Sequence, residues 1–225
     1  RRILYRKNNY FTFQHKLKNG QIRIVDVYSS PITYNNQTVL FSIVFDVTER
    51  ENASKEIVHI SYHDFLTGAY NRRFFEEKFE LLNTLSSFPI SVIMGDVNGL
   101  KLVNDSFGHP EGDNLLKEAV KRIGDVLRPG DILARIGGDE FAILLPKTTE
   151  EETIGVLNRI HEATAGTNIK NRLPSVSLGH AVKKTMEETM EDIYLHAEDE
   201  MYKNKINESA AMRSQYIDVF MNTLF

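Results

Sequence analysis

The sequence predicts an α/β fold: a central sheet flanked by helices, preceded by a partial antiparallel β segment and a linking helix. Three observations carry this. Residues 10–47 alternate Tyr, Phe, Thr, Val and Ile around two turn signals, Lys18-Asn19-Gly20 and Tyr34-Asn35-Asn36-Gln37. Residues 48–62 are polar with a narrow apolar seam. From His63 onward, short apolar runs alternate with stretches of helical period.

The first pattern gives strands at about 10–17, 21–31 and 38–47. Three antiparallel strands with no helix of their own make a marginal core, so this piece is expected to belong to a larger domain. In the helix over 48–62, Thr48 can cap and Glu51 completes a capping box. Its seam, Ala53, Ile57 and Ile60, suits either pairing with a second copy or packing on its own domain. Helices follow at 71–86, 111–128, 149–165 and 189–207, with strands at 90–96, 131–136, 140–145 and 175–183. The second helix places Leu115, Leu116, Ala119, Val120, Ile123, Val126 and Leu127 on one face. Strands alternating with helices on both sides of a hairpin give an α/β sandwich. No internal repeat or low-complexity stretch interrupts it.

Composition sets bounds. The 225 residues carry 27 Lys+Arg against 31 Asp+Glu, a net charge of −4. Residues 1–50 hold eight basic and three acidic residues, a net of +5, so the remainder carries −9. An acidic body without a basic helix or stripe argues against nucleic acid as a partner. Zero Cys excludes a disulfide scaffold, a Cys-ligated zinc and a thiol nucleophile. No apolar run approaches the roughly 20 residues that span a bilayer. The best, Val39 to Phe45, is interrupted by Ser42. The chain opens Arg1-Arg2-Ile3 with neither Met nor signal peptide and reads as a fragment. The catalytic part is expected to be cytoplasmic, and an upstream membrane anchor in the full-length protein is left open.

The chemistry concentrates in two segments. Arg135-Ile136-Gly137-Gly138-Asp139-Glu140-Phe141 puts two glycines and two carboxylates between apolar strands. Paired glycines permit a tight hairpin, and alone this would be a good exposed turn. The strand ending Ile93-Met94-Gly95-Asp96 delivers another carboxylate at its C-terminal end, where α/β sheets bind ligands. Asp96 beside Asp139 and Glu140 would concentrate three negative charges, which calls for a cation. Oxygen ligands suit Mg²⁺, which also takes substrate phosphates. Two such ions can activate a hydroxyl and stabilise a leaving pyrophosphate. Backbone N–H groups at Gly99 and Leu100, with Lys101, could hold phosphates. This is the chemistry of a nucleotidyl transferase or cyclase.

Residues 135–141 resemble the signature of GGDEF domains, the diguanylate cyclases. Other landmarks occur in order: Asp64-Phe65-Leu66-Thr67-Gly68 with Asn71-Arg72-Arg73, Asp96 through His109, Gly112-Asp113, Ser177-Leu178-Gly179-His180-Ala181, and Ala197 through Lys205. The resemblance covers about 64–207, and concordant order across six segments is far more specific than one motif. It implies condensation of two GTP to cyclic di-GMP with loss of two pyrophosphates, using Mg²⁺ or Mn²⁺. Each domain would bind one GTP, and two domains would face each other.

The resemblance also implies roles. Asp96 becomes a metal ligand, assisted by the Val97 carbonyl, and Glu140 a second. Asp139 is either a metal ligand or the group that helps deprotonate the 3′-hydroxyl. Asn104 and Asp113 become guanine readers, since a carboxylate accepts from guanine N1–H and its exocyclic amine. Lys101 and Lys205 match phosphate-binding lysines. Asn98 stands where many members have Asp, with little consequence expected, and Ser209 replaces a phosphate-holding Arg. Arg128-Pro129-Gly130-Asp131 matches the spacing of the family's product-inhibition site, or is simply a polar helix end with a turn.

The N-terminal piece resembles the last strands of a PAS sensor, closing on Phe45-Asp46-Val47-Thr48-Glu49-Arg50. The domain reading is a partial PAS-like module at 1–47, a signalling helix at 48–62, a GGDEF domain at 63–208, and a C-terminal helix or connector at 209–225. The connector is amphipathic through Ile217, Phe220, Met221 and Leu224. A homodimer is expected through the linking helix or facing GGDEF domains. The alternative activity is a catalytically weak domain acting as a GTP or cyclic di-GMP receptor. A cyclic dinucleotide made from mixed GTP and ATP is disfavoured by Asp113.

Overall fold

The computed structural model describes residues 10–84, 87–164 and 175–224, with side chains as far as Glu208. The chain divides into two units, Arg1–Ser61 and Tyr62–Phe225.

In the first unit, strands β1 (Tyr10–Lys16), β2 (Ile22–Tyr34) and β3 (Gln37–Asp46) form one antiparallel sheet in sequence order. This agrees with the expected antiparallel segment. The β2–β3 turn works because Asn35 and Asn36 both accept positive φ, 48° and 59°, as a two-residue hairpin requires. That turn carries β2 to Tyr34, three residues past the expected end. Among the described residues of this sheet, Val25 is the apolar side chain that is buried, while Val39 through Ile43 stand exposed along with Phe45. Helix α1 (Thr48–Tyr62) lies over the expected span. Thr48 Oγ1 accepts from Ile24 N at 2.8 Å, and Arg50 reaches the buried Asp26 at 3.1 Å. No residue of α1 is buried, so Ala53, Ile57 and Ile60 do not pack on their own domain.

The second unit is a five-stranded sheet of order β4-β6-β7-β5-β8 between two helical layers. Its strands are β4 (Tyr70–Asn71), β5 (Ile90–Val97), β6 (Ile132–Gly137), β7 (Glu140–Pro146) and β8 (Val176–Lys183). Its helices are α2 (Arg72–Leu82), α3 (Leu100–Phe107), α4 (His109–Val126), α5 (Glu150–Thr164) and α6 (Met190–Leu224). Period-two alternation sorts the layers. Val92, Met94, Ala142 and Leu144 pack on α2 and α6 through Phe75, Phe79, Ile193, Ala197 and Met201. Ile93, Val97, Phe141, Ile143 and Leu145 pack on α4 and α5 through Leu115, Ala119, Ile123, Val156 and Ile160. Strand β5 is buried along its whole length, as expected for the middle of a two-sided sheet.

In this unit, helices α2, α3, α4 and α6 depart from the sequence reading. The helix expected over 71–86 stops at Leu82 with an Asn83 cap, and residues 85–86 lie outside the described residues. Asn71 caps it instead of joining it, accepting from Phe74 N at 3.0 Å, and belongs to the short strand β4. Residues 100–107, to which the sequence reading assigned no element, form α3, whose Asn104-Asp105-Ser106 run hid the helical period. The following helix begins at His109, two residues early, because Pro110 fits the first turn, and it ends at Val126. Helix α6 continues from the expected 189–207 stretch through Leu224. The connector residues Ile217, Phe220, Met221 and Leu224 have side chains outside those described. Among the described residues, no helix is long and apolar enough to cross a membrane.

Candidate active site

The site grows from the C-terminal end of β5. Alternation puts Asp96 on the same face as Val92 and Met94, which is the α6 face. In the sheet register Asp96 stands between Glu140 of β7 and Ser177 of β8. The β6–β7 hairpin turns at Gly137-Gly138, with Gly138 at φ 55° and a register shift between Arg135 and Gly137. Its tip is tied to β5 by Val97 N, which donates to the Asp139 carbonyl at 2.9 Å.

Helix α6 reaches this end because Gly179 lets it lie against β8. A Cβ there would come within 2.1 Å of Met201 N and 2.3 Å of the Ala197 carbonyl. That approach brings Lys205 Nζ to 2.5 Å from Asp96 Oδ2. Asp96 is only 1% exposed, and its Oδ1 has no hydrogen-bond partner. Burial pushes the Asp96 carboxyl up to about 6; the Lys205 hydrogen bond opposes the shift and the charges of Asp139 and Glu140 add to it. Burial alone would lower Lys205, but the bond to Asp96 and the three carboxylates hold it above the ordinary lysine value. Beside the burial of Asp96, both shifts carry the negative charge of Asp139 and Glu140 at this end of the sheet.

The three carboxylates are not a ready-made cage. Among the described residues, no group of three or more His, Asp or Glu side chains is gathered to hold a metal ion. Asp139 and Glu140 nonetheless lie near enough for their charges to raise the Asp96 carboxyl, and Lys205 partly neutralises it. The donor set still fits a hard divalent cation. A buried carboxylate oxygen lacks a partner, Glu140 is its register neighbour, and no cysteine thiolate competes.

The nucleotide-reading candidates lie on α3 and α4. Gly99, at φ 76°, turns the chain from β5 into α3, placing Leu100 and Lys101 in its first turn with Lys101 exposed. Asn104 lies over Gly112, where a Cβ would sit 2.0 Å from its Oδ1. Asp113 follows, exposed on α4. The Gly112 gap thus brings the Asn104 side chain to the α4 turn that carries Asp113.

Two networks escaped the sequence reading. Arg135 donates to both Asp64 oxygens, at 3.1 and 3.3 Å, and to the Gly138 carbonyl, at 3.0 and 2.7 Å. Burial works against ionisation of Asp64, yet hydrogen bonds from Thr67, then Arg135, keep its carboxyl below the usual range. This strut joins the opening motif to the signature hairpin; both halves were visible as motifs, but not their pairing. The second network is Asn98, Ser177 and Glu208. Ser177 Oγ donates to Asn98 Oδ1 at 3.0 Å and contacts Glu208 Oε2, which also accepts from Asn98 Nδ2 at 3.4 Å. Asn98 is buried within this network, a placement that the sequence did not reveal. Ser209's side chain lies outside those described.

Arg128 and Asp131 meet, but they bind each other. Arg128 N and Nε both donate to the Asp131 carboxylate at 3.1 Å. Arg128 Nη2 donates to the Pro146 carbonyl at 2.7 Å and to Thr148 Oγ1 at 2.5 Å. They line a cavity of about 400 Å³ with His63, Tyr70 and Leu133.

Residues 61–210 match the family described as diguanylate cyclase, GGDEF domain. The diguanylate cyclase DgcM of Escherichia coli K12 is 30% identical over 198 residues, 86% of this chain and 48% of that protein. The response regulator PleD of Caulobacter vibrioides is 29% identical over 157 residues, 66% of this chain and 35% of its own length. Among solved structures, the diguanylate cyclase SiaD of Pseudomonas aeruginosa, in complex with its activator SiaC, superposes with a TM-score of 0.61 at 28% identity, covering 71% of this chain and 64% of that one. The coiled coil and GGDEF domain of DgcB from Caulobacter crescentus shares the fold, with a TM-score of 0.64 at 22% identity, covering 72% and 89%. The chain spans about half the length of the curated relatives it matches. A signature hairpin on the strand next to Asp96, an α6 lysine on that carboxylate, and a family match across 61–210 agree: this chain belongs to the GGDEF diguanylate cyclase family.

Proposed function

We propose that this protein condenses two GTP molecules into cyclic di-GMP, releasing two pyrophosphates. The observation that carries the reading is Asp96: a buried carboxylate with one unpartnered oxygen, next in register to Glu140 of the signature hairpin. Asp96, the Val97 carbonyl and Glu140 would hold Mg²⁺ or Mn²⁺, with Asp139 as a further ligand or as proton acceptor for the 3′-hydroxyl. Such an ion, when bound, acidifies the attacking hydroxyl and neutralises charge on the leaving pyrophosphate. Asn104 and Asp113 would read the guanine edge. Gly99 and Leu100, whose N–H groups open α3, would meet phosphate oxygens with Lys101 and Lys205. Each chain offers one such set, so the product requires a second copy facing the first.

The sensing arrangement belongs to the same proposal. Residues 1–47 are read as part of a PAS-like module, 48–62 as the signalling helix, 63–208 as the cyclase and 209–225 as a connector. The exposure of Ala53, Ile57 and Ile60 on α1 supports pairing of two copies along that seam. Product inhibition at Arg128 and Asp131 is supported by the adjoining cavity. It would require Asp131 to give up its bonds to Arg128.

The test is incubation with GTP and Mg²⁺ at several protein concentrations, with cyclic di-GMP read by mass spectrometry. Product is expected to rise faster than linearly with protein and to vanish in folded Glu140→Gln. No product at any concentration, with GTP binding intact, would replace the enzyme by a nucleotide receptor.

A further inference from the structure

The metal-binding carboxylate already carries a cation. Lys205 Nζ lies 2.5 Å from Asp96 Oδ2, and Asp96 is fixed in the buried end of β5. The lysine side chain is 38% exposed, so its amine can turn outward while the carboxylate cannot follow. The α6 backbone beneath it is pinned one turn later, where Glu208 meets Ser177 and Asn98. Motion is thereby confined to the lysine side chain.

A divalent cation arriving alone would meet one unpartnered oxygen, Oδ1, one oxygen held by Lys205, and an ammonium that repels it. Among the described residues, Asp96, Asp139 and Glu140 are not gathered into a group that would hold the ion against that repulsion. A cation arriving on a triphosphate is different. It brings further oxygen ligands, and its phosphates attract the ammonium away from Asp96.

We propose that Lys205 is the resident counter-ion of Asp96 and reserves the site for a metal–nucleotide complex, leaving Asp96 for the phosphates when that complex binds. The inference rests on the cyclase reading and deepens it. It assigns an order of loading in which free divalent cation is held weakly and the nucleotide admits it. It also gives one lysine two opposite effects, against free metal and for nucleotide.

The test measures Mn²⁺ binding to the full chain by electron paramagnetic resonance, with and without 3′-deoxy-GTP, which lacks the attacking hydroxyl and cannot condense. Lys205→Met removes the charge and keeps the length; Lys205→Gln guards against a folding defect in the first. Both variants are expected to bind Mn²⁺ alone about tenfold more tightly than the parent, the scale of one lost partly buried ion pair. Both should bind 3′-deoxy-GTP more weakly, and the nucleotide should enhance their Mn²⁺ binding less than the parent's. Equal or weaker binding of Mn²⁺ alone in both variants would overturn the proposal while leaving the metal site standing. Absence of Mn²⁺ binding in every protein, with nucleotide present, would overturn the proposal together with the cyclase reading beneath it.

Discussion

Replacing Asp96 by Asn should stabilise the metal-free protein, although it removes the residue on which the proposed activity rests. In the unfolded chain this carboxyl titrates near 3.8, and in the folded domain burial lifts it to about 6. A carboxyl whose folded value is raised costs nothing below the unfolded value. It costs progressively more as pH rises towards the folded value, and the full amount above that. A shift of roughly two units corresponds to about 3 kcal/mol at neutral pH. Asn keeps the shape, carries no charge and can donate toward neighbouring oxygens. Lys205 loses its partner, but its partly exposed amine can hydrate, so the expected net gain is about 1–3 kcal/mol. In a domain of this size that is about 3–10 °C in Tm. The assay is urea unfolding by far-ultraviolet circular dichroism with EDTA, from pH 5 to 8. The Asn variant should be more stable at pH 8, and its advantage should shrink towards pH 5. Excess Mn²⁺ with nucleotide should stabilise the parent but not the variant. A variant less stable than the parent at pH 8 in EDTA, or a difference that ignores pH, would refute the argument that an under-neutralised buried carboxylate dominates this end of the sheet.

Three further outcomes are expected. Arg135→Ala removes a guanidinium that ties Asp64 to the Gly138 carbonyl, so product formation should fall at least tenfold, while urea unfolding shows a loss of only about 1–3 kcal/mol. Gly179→Ala places a methyl within 2.3 Å of two α6 backbone atoms, and calorimetry should show a destabilisation of about 3 kcal/mol or more. Asn98→Asp sets a second carboxylate against Glu208. It should cost about 2 kcal/mol at pH 8, most of it recovered by adding Glu208→Gln in a double-mutant cycle.

Much of the second unit was legible because its signals are periodic. Strand β5 is a run of buried residues that includes Asp96, and α4 shows its apolar face over six positions from Leu115 to Val126, so both could be read from spacing alone. The hairpin announced itself by Gly137-Gly138. What failed was local. Helix α3 has eight residues, too few for a period, and its Asn-Asp-Ser run favours caps and turns. Strand β4 is two residues long and exists because β6 pairs with it. The site's long-range bonds were illegible for another reason. Lys205 and Asp96 are 109 positions apart, and Arg135 and Asp64 are 71 apart. Nothing in either neighbourhood states the partner; it follows only once alternation has assigned Asp96 to the α6 face and Gly179 has let that helix approach.

The same geometry changes how the departures from the family pattern should be weighed. Read one at a time, Asn98 looks harmless and Ser209 looks damaging. In the fold, Asn98 is buried and shares Glu208 with Ser177. A carboxylate at 98 would face the half-buried Glu208, a like-charge pair that could persist only by taking up a proton or a cation. The amide at 98 and the carboxylate at 208 are therefore one choice, not two. That choice fixes the turn of α6 from which Lys205 reaches Asp96. Where the family pattern spends a basic side chain just past this turn, the present chain anchors the turn itself and leaves Lys205 as the basic residue aimed at the carboxylate. If Lys205 moves from Asp96 to phosphate as proposed, the consequence of Ser209 is set by how completely it does so, and binding is expected to depend on nucleotide charge more steeply than on metal concentration.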